Sequence, residues 1–250
     1  MAQRYFMQLA YDGTLFHGWQ KQNDRRTIQQ ELEAALTKIC KEPIALTAAG
    51  RTDAGVHAYS QYAHFDFPIQ MKPEQIQAAI QSSITNDIKI LKILPVFENS
   101  HARYDAIKRT YLYRLTTDFS PFNRNYCSFC PNVHLRKDII MSCLSYFEGK
   151  HDFSAFSKHN PDINNNVCDV IFFTCKIKEN EYEFTISANR FLHNMVRRII
   201  GTIMMISHHK ANPAVVKAIF KHNLQQNLIF TAPPNGLYLS DINYKDGTFR

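Results

Sequence analysis

The chain has 250 residues, of which 45% are hydrophobic and 20% charged, so it can form one large or two small folded domains and is not of the disordered class. Lysine and arginine outnumber aspartate and glutamate by 29 to 22, a net charge of +7 that favours an anionic partner such as RNA, DNA or a membrane surface. The N-terminus lacks an apolar signal core, and no apolar run reaches the length of a membrane span. These features predict a cytoplasmic protein with no membrane segment and with its six cysteines reduced.

The first half of the chain predicts the order strand, helix, strand, strand, helix, strand. The predicted strands cover residues 4–11, 44–49, 57–67 and 88–97. A capping-box pattern at Thr27 opens the first helix, in which apolar residues recur at helical spacing as far as Ile39. Pro73 suits the first turn of the second helix, which we expect to end near Ser83.

The second half predicts the same order of elements with one extra helix. Its strands are expected over residues 109–117, 169–178, 181–188 and 237–244. Its helices are expected over residues 137–147, 188–207 and 213–222.

The repeated order indicates an α+β fold of two ferredoxin-like βαββαβ units. With right-handed crossovers, each unit forms an antiparallel sheet with helices on one face. If edge strands pair, the two units make one long antiparallel sheet with a cleft across its other face. We expect an N-terminal domain over residues 1–104 and a C-terminal domain over residues 105–250 that completes the cleft.

The most informative segment is Gly50-Arg51-Thr52-Asp53-Ala54-Gly55. It places Asp53 between two glycines and beside Arg51, on a tight loop that joins two predicted strands. Glycine permits positive φ angles or a close approach by another backbone, and loops on a rigid scaffold often carry chemistry. The alternative is an aspartate that only turns the chain by bonding its own backbone.

Basic and aromatic side chains interleave at strand spacing from Lys108 to Arg114, and Tyr111 shares a face with Tyr113. Exposed basic groups bind phosphate and an exposed ring stacks on a base. The alternative for this segment is a strand with a core tyrosine and solvated charges.

Arg197 is the third candidate, on the helix predicted over residues 188–207. At this spacing Arg197 lies one turn from His193, on the face away from the apolar stripe. An arginine in this position would reach a buried carboxylate. The alternatives are that Arg197 is an ordinary surface residue and that His193 is structural.

Two other segments leave their roles open. The loop over residues 12–22 contains the single tryptophan, Trp19, among glycine, histidine and amide side chains, and either embraces RNA or forms a packed corner. Cys127 and Cys130 form a Cys-x-x-Cys pair. A zinc ribbon needs a second such pair, whereas the other cysteines of this chain are isolated. A thioredoxin motif precedes a helix, and this pair does not. The histidines show no metal-ligand spacing, so we predict no metal.

Taken together, these segments resemble the TruA family of tRNA pseudouridine synthases over nearly the full length of the chain. The matching segments, in order, are Tyr11-Asp12-Gly13 with Gly18-Trp19-Gln20, Gly50-Arg51-Thr52-Asp53-Ala54-Gly55-Val56-His57, His101-Ala102-Arg103, Arg109-Thr110-Tyr111-Leu112-Tyr113, Phe153-Ser154-Ala155-Phe156, Phe191-Leu192-His193-Asn194-Met195-Val196-Arg197 and Gly236-Leu237-Tyr238. Each segment alone would be a weak signal, but their number and order make the resemblance specific.

The resemblance implies isomerisation of uridine to pseudouridine at positions 38, 39 and 40 of the tRNA anticodon stem-loop. It also implies a homodimer, an RNA-binding cleft and no cofactor. Asp53 would be the catalytic aspartate, Arg197 its partner and Arg51 a neighbour that organises the loop. Tyr111 would stack on the target base. Arg190 departs from the family, which usually has a small residue there, and adds charge near the expected site.

Basic side chains near these segments are candidates for contacts with tRNA phosphates: Lys21, Arg25, Arg26, Arg103, Lys108 and Arg114. Two rival interpretations stay open. One is an RNA-binding module without activity, although no aromatic signature of RNA-recognition modules is found. The other is a metal or redox protein built on Cys127 and Cys130.

Overall fold

The computed structural model describes residues 2–131, 135–158, 165–221 and 226–249. In these ranges, ten strands and five α-helices form a mixed α+β fold with mostly antiparallel pairing, which confirms the predicted fold class. The strands are β1 (Gln3–Tyr11), β2 (Thr47–Ala48), β3 (His57–Phe67), β4 (Ile88–Pro95), β5 (Ala106–Thr116), β6 (Ser128–Phe129), β7 (Gly149–Asp152), β8 (Val167–Lys178), β9 (Glu181–Ala188) and β10 (Leu237–Tyr244). The helices are α1 (Ile28–Cys40), α2 (Pro73–Gln81), α3 (Lys137–Leu144), α4 (Met195–His208) and α5 (Val215–Phe220). No helix within the described ranges has the length and apolar character of a membrane span.

The chain divides into two compact units, which are Met1–Lys108 with Tyr238–Arg250 and Arg109–Leu237. The last strand therefore returns to the first unit, whereas the sequence predicts a C-terminal domain over residues 105–250. Tyr238 and Leu239 of β10 form a parallel ladder with the start of β3. An alternating pattern identifies a strand but not its partner, so the return of β10 could not be predicted from the pattern.

In the first unit, β1 lies between β3 and β4 and is antiparallel to both. The short strand β2 pairs with the other edge of β3. The resulting order β4-β1-β3-β2 is the one that right-handed crossovers produce from a βαββαβ unit. The apolar stripes of α1 and α2 are buried through residues spaced three or four apart: Ile28, Leu32, Ala35, Leu36, Ile76 and Ile80.

In the second unit, the strand order is β5-β9-β8-β7 with antiparallel pairs throughout, and β6 adds a short parallel pair to β5. The order β5-β9-β8 repeats the order β1-β3-β2 of the first unit. The predicted hairpin is present, because β8 and β9 are joined at Glu179 and Asn180, with Glu179 at a φ of 52°.

Two helix starts predicted from the sequence are wrong. α4 begins at Met195 rather than at residue 188, because β9 continues to Ala188 and Asn194 adopts a left-handed φ of 62° at the N-cap. α5 begins at Val215 rather than at residue 213, and its predicted end at residue 222 lies outside the described residues.

The start of α1 is confirmed, because Thr27 is the N-cap residue before Ile28. The Thr27 side chain makes no capping bond, however, and its buried hydroxyl has no partner among the described residues.

Candidate active site

The Asp53 loop, residues 50–56, connects β2 to β3 in the first unit, as the sequence predicts. Asp53 itself is half-buried, Thr52 before it is buried and Arg51 is exposed. The loop therefore buries the side chain of Thr52 and leaves Asp53 partly exposed.

Only one of the two glycines that bracket Asp53 adopts a conformation that requires glycine. Gly55 has a φ of 76°, in the left-handed region that side chains rarely adopt. A Cβ at Gly50 would meet nothing within 4 Å, so the space around Gly50 does not exclude a side chain. The expectation of special backbone demands thus holds for Gly55 alone.

The segment that follows β1 lies directly against the Asp53 loop through two other glycines. A Cβ on Gly18 would lie 2.6 Å from the carbonyl oxygen of Thr52, and one on Gly13 would lie 2.0 Å from that of Val56. Gly18 also has a φ of 86°. A side chain at either position would push the two backbones apart, so this contact requires glycine.

Backbone hydrogen bonds join the same two segments. The N–H of Trp19 donates to the carbonyl oxygen of Thr52 at 3.0 Å, and the N–H of Gly55 donates to that of Phe16 at 3.2 Å. The Trp19 side chain is 2% exposed. Of the two interpretations of the tryptophan segment, the structure supports the packed corner, which holds the loop from one side.

Two polar side chains of the neighbouring strands bond the loop from the other side. The hydroxyl of Tyr11 lies 2.7 Å from that of Thr52, and the Gln61 amide donates to the carbonyl oxygen of Gly50 at 2.9 Å. The ladder between β1 and β3 shifts register between Leu9 and Tyr11, and such a bulge re-aims a side chain. Burial raises the pKa of Tyr11 to about 12, so its hydroxyl stays protonated. The loop is therefore held by both side-chain and backbone bonds before any ligand binds.

His57 links the end of the loop to the segment after β1. Its Nδ1 lies 3.1 Å from the N–H of Gly13 and also 3.1 Å from Oδ1 of Asp12. Nδ1 accepts in the first contact and would donate in the second, so one tautomer cannot make both. Oδ1 of Asp12 already accepts from the N–H and the hydroxyl of Thr14, so we assign Nδ1 as the acceptor from Gly13.

Tyr111 lies in the second unit on β5, opposite Ile186 of β9, and its side chain is half-buried. Its ring contacts Phe191 edge to face, with centroids 5.0 Å apart. Phe191 belongs to the connection between β9 and α4, so this contact fixes the Tyr111 ring against the segment that leads to Arg197.

Arg197 lies in the first turn of α4, and hydrogen bonds to Ala232 and Asn194 help to hold its guanidinium. Its Nε donates to the carbonyl oxygen of Ala232 at 2.7 Å, and its Nη1 donates to Oδ1 of Asn194 at 3.2 Å. The predicted spacing of one helical turn between His193 and Arg197 is wrong, because His193 precedes the helix and is exposed.

Two exposed candidates for phosphate contacts are Lys21, near the end of the tryptophan segment, and Arg25, just after it. Lys21 lies 3.7 Å from a carboxylate oxygen of Glu33, and Nη1 of Arg25 lies 3.5 Å from Nε2 of His17. Both contacts are long, so both cations keep much of their solvent contact.

Three further candidates differ in their surroundings. Arg103 is exposed, with its guanidinium 5.9 Å from the ring centroid of the exposed Tyr104. Lys108 is half-buried. Nε of Arg114 lies 3.3 Å from a carboxylate oxygen of Glu183 on the neighbouring strand.

Arg26 has a structural setting. Its Nε lies 2.6 Å from a Glu31 oxygen and its Nη2 lies 2.8 Å from an Asp87 oxygen, while its guanidinium lies 4.2 Å from the ring centroid of Phe16. Because two carboxylates already take this guanidinium, we do not carry Arg26 forward as a phosphate contact.

The Cys-x-x-Cys pair lies in the second unit and both thiols are free. Burial raises the pKa of Cys127 to about 11 and also raises the pKa of Cys130. Thiols that stay protonated at neutral pH are poor nucleophiles, which disfavours the redox interpretation. Among the described residues, no group of three or more histidine, cysteine or acidic side chains is placed to hold a metal ion.

Sequence reasoning missed the residues that hold the Asp53 loop, namely Tyr11, Gly18 and Gln61. Gln61 was detectable from the sequence, because alternation places this amide on the same strand face as the apolar Ala63 and Phe65. The structure shows that Gln61 is fully buried. A buried polar group needs a hydrogen-bond partner, so its position predicts a bonding role.

Comparison with known proteins identifies the class. The sequence profile of the family described as tRNA pseudouridine synthase matches residues 7–105 and 144–245. The first stretch includes Asp53 and the second includes Arg197, whereas Tyr111 lies between them. This match places the chain among the RNA-modifying isomerases.

Curated relatives extend the match to the whole chain. The tRNA pseudouridine synthase A of Bacillus pumilus is 35% identical over 240 residues, which covers 94% of this chain and 97% of the relative. The protein of the same name from Bacteroides fragilis is 36% identical and covers 99% of this chain and 98% of its own length. The one from Geobacillus is also 36% identical and covers 98% of this chain and 99% of its own length. The chain belongs to the TruA family of tRNA pseudouridine synthases.

Among solved structures, a chain from a Cbf5-Nop10-Gar1 complex aligns with a TM-score of 0.37 and 10% identity, covering 80% of this chain and 53% of its own. A likeness this weak adds nothing to the assignment.

Proposed function

We propose that this enzyme isomerises uridine to pseudouridine at positions 38, 39 and 40 of the tRNA anticodon stem-loop, with Asp53 as the catalytic carboxylate and without a cofactor. Family membership supports the reaction type. The observation that carries the assignment of Asp53 is the loop itself, whose backbone is bonded on both sides of that residue. A reactive group held in place before the substrate binds is what efficient catalysis requires.

The reaction is an isomerisation, which fits a site built on one carboxylate. The N1–C1′ bond of uridine breaks, the uracil turns and a C5–C1′ bond forms. C5 then loses its proton, and N1, freed from C1′, gains one. No atom is gained or lost, so the balance requires neither an oxidant nor an energy source. Asp53 either attacks C1′ as a nucleophile or removes the 2′ proton on a glycal route.

The remaining site residues receive roles consistent with their surroundings. Arg197 is the proposed partner of the Asp53 carboxylate, and within the second unit its guanidinium donates to Ala232 and Asn194. Tyr111 stacks on the target base, with its ring oriented by Phe191. Arg51 is exposed on the loop two residues before Asp53, and its proposed role is to organise that loop.

Substrate binding requires the target uridine to leave its stack, at a cost of a few kcal/mol. Phosphate contacts in an RNA-binding cleft would offset this cost, through Lys21, Arg25, Arg103, Lys108 and Arg114.

We also propose that the protein is a homodimer and is located in the cytoplasm. Size-exclusion chromatography with light scattering tests the oligomeric state.

The decisive experiment compares wild type, Asp53→Asn and Asp53→Ala on an unmodified tRNA transcript. Carbodiimide labelling with primer extension maps pseudouridine, and fluorescence anisotropy measures tRNA binding in parallel. We expect product at positions 38 to 40 from wild type, a loss of at least about 100-fold in both variants, and retained binding. Asp118→Asn, which removes an exposed carboxylate in the second unit, is the control and should keep full activity.

Three results would contradict the proposal. Wild type that binds tRNA without product would favour the RNA-binding module. Product at other uridines would refute the positions. Asp53→Asn with lost binding would make Asp53 a binding residue rather than the chemical one.

A further inference from the structure

The inference concerns Tyr59, the third residue of β3, the strand that continues the Asp53 loop. We propose that the Tyr59 ring is a stacking site for an unpaired base of the bound tRNA close to the target uridine. The inference rests on the proposed function, because it takes tRNA as the ligand.

Tyr59 lies on the strand face to which the Asp53 loop is attached. Side chains alternate along β3, so His57, Tyr59 and Gln61 share one face. Gln61 donates to the carbonyl oxygen of Gly50 in the Asp53 loop, and His57 accepts from the N–H of Gly13 in the segment that lies against this loop. Tyr59 stands between them, about 7 Å along the strand from His57.

Tyr59 is exposed on a strand that is otherwise almost wholly buried. Only Tyr59 and Asp66 are exposed among the 11 residues of β3, and Tyr59 is 44% exposed. A packing role would bury the ring, as it does at Phe65 and Phe67. An exposed aromatic ring beside a catalytic loop is instead the surface that an unpaired base can cover.

The ring of Tyr59 is held in a fixed orientation before any base arrives. It lies nearly parallel to the ring of Tyr238, with centroids 5.0 Å apart and an interplanar angle of 12°. Tyr238 is 4% exposed and also stacks on the buried His57 at 4.7 Å. Because this stack already limits the rotamers of Tyr59, a base that adds to the ring imposes little further ordering.

Stacking on a ring tolerates every base, since each has a flat π surface. The site therefore recognises an unpaired nucleotide and not a particular base. It adds affinity without a phosphate contact, so its contribution does not release counterions and does not depend on salt.

The test measures binding and turnover of Tyr59→Leu, Tyr59→Phe and Tyr59→Trp on an unmodified tRNA transcript, by anisotropy at several salt concentrations and by KM and kcat. Tyr59→Leu should raise Kd and KM by roughly 5- to 150-fold, with the slope of log Kd against log salt unchanged. Tyr59→Phe and Tyr59→Trp keep the ring and should bind within about twofold of wild type. Phe97→Leu removes a similarly exposed ring elsewhere in the first unit, 48% exposed, and should bind as wild type does.

Several results would overturn the inference. The first is that Tyr59→Leu binds tRNA as tightly as wild type. The second is that Tyr59→Phe weakens binding as much as Tyr59→Leu does, which would assign the effect to the hydroxyl. The third is a changed slope of log Kd against log salt, which would assign the effect to displaced charges. If Tyr59→Leu also melts at a lower temperature, the affinity of Tyr59→Trp decides between the two explanations. A loss of tRNA affinity in Tyr59→Trp equal to that in Tyr59→Leu would overturn the stacking site. Wild type that binds through Tyr59 but forms no pseudouridine would refute the proposed function and leave the stacking site standing.

Discussion

The hydroxyl oxygens of Tyr11 and Thr52 lie 2.7 Å apart in the buried part of the first unit, one residue before Asp53. Tyr11 is the last residue of β1 and Thr52 lies 41 residues further along the chain, so this bond ties the loop to the sheet. The pair is buried, which makes the loss of either hydroxyl costly for its partner.

We expect Tyr11→Phe to leave the Thr52 hydroxyl buried without its partner. The free energy of unfolding should fall by about 1–3 kcal/mol, and kcat should fall more than KM changes because the loop loosens around Asp53. Urea unfolding and steady-state kinetics measure both. Tyr5→Phe is the control, since Tyr5 is buried on the same strand and its ring contacts Phe65 and Phe67. An equal loss in Tyr5→Phe would assign the effect to the strand and not to the bond.

Gly18→Ala and Gly50→Ala form a matched pair that tests which glycine the loop needs. Gly18→Ala places a Cβ 2.6 Å from the Thr52 carbonyl at a positive φ, and should destabilise the fold by at least about 1–2 kcal/mol and reduce turnover. Gly50→Ala adds a Cβ in open space and should match wild type in melting temperature and kcat. Equal effects at the two positions would show that the close approach at Gly18 is not what holds the loop.

Arg25 and Arg26 are adjacent in sequence but should behave differently toward tRNA. Arg25 is exposed, so Arg25→Ala should lower the slope of log Kd against log salt by about 1. Arg26 is paired with Glu31 and Asp87, so Arg26→Ala should keep the slope and lower the melting temperature. Anisotropy titrations at four salt concentrations measure the slope for both variants. A reduced slope in Arg26→Ala would show that Arg26 does contact a tRNA phosphate.

His64 should make stability depend on pH. Its ring is buried on β3 and its Nδ1 accepts from the N–H of Ala102 at 3.1 Å. Burial, with smaller effects of His101 and Arg4, lowers the pKa of His64 to about 4, from 6.5 in the unfolded chain. The unfolded chain therefore binds more protons between these two values, so the contribution of His64 to stability is complete above pH 6.5 and is lost as the pH falls toward 4.

We expect wild type to lose about 1–2 kcal/mol more unfolding free energy between pH 7 and pH 5 than His64→Asn, which keeps an acceptor near Nδ1 but does not titrate. Urea unfolding at pH 7, 6 and 5 gives the comparison. Parallel pH profiles for the two proteins would mean that His64 is not the residue that titrates.

Several elements could be predicted from local patterns alone. β3 and β10 were found at their predicted bounds, because turn residues or glycine limit a strong strand pattern on each side. The start of α4 was missed because Phe191 and Leu192 extend the apolar stripe of the helix toward β9. Only the backbone shows that Asn194 turns left-handed there, since a single φ angle leaves no trace in periodicity.

Residue types and spacings within short segments suffice to predict the α+β class, the family and the position of the Asp53 loop. The folded chain is needed to see that Gly13, Gly18 and Tyr11 hold this loop, that two carboxylates bind Arg26 and that β10 pairs with β3. These contacts join residues far apart in the chain. Their distances follow from how the elements pack, and no local pattern records that packing.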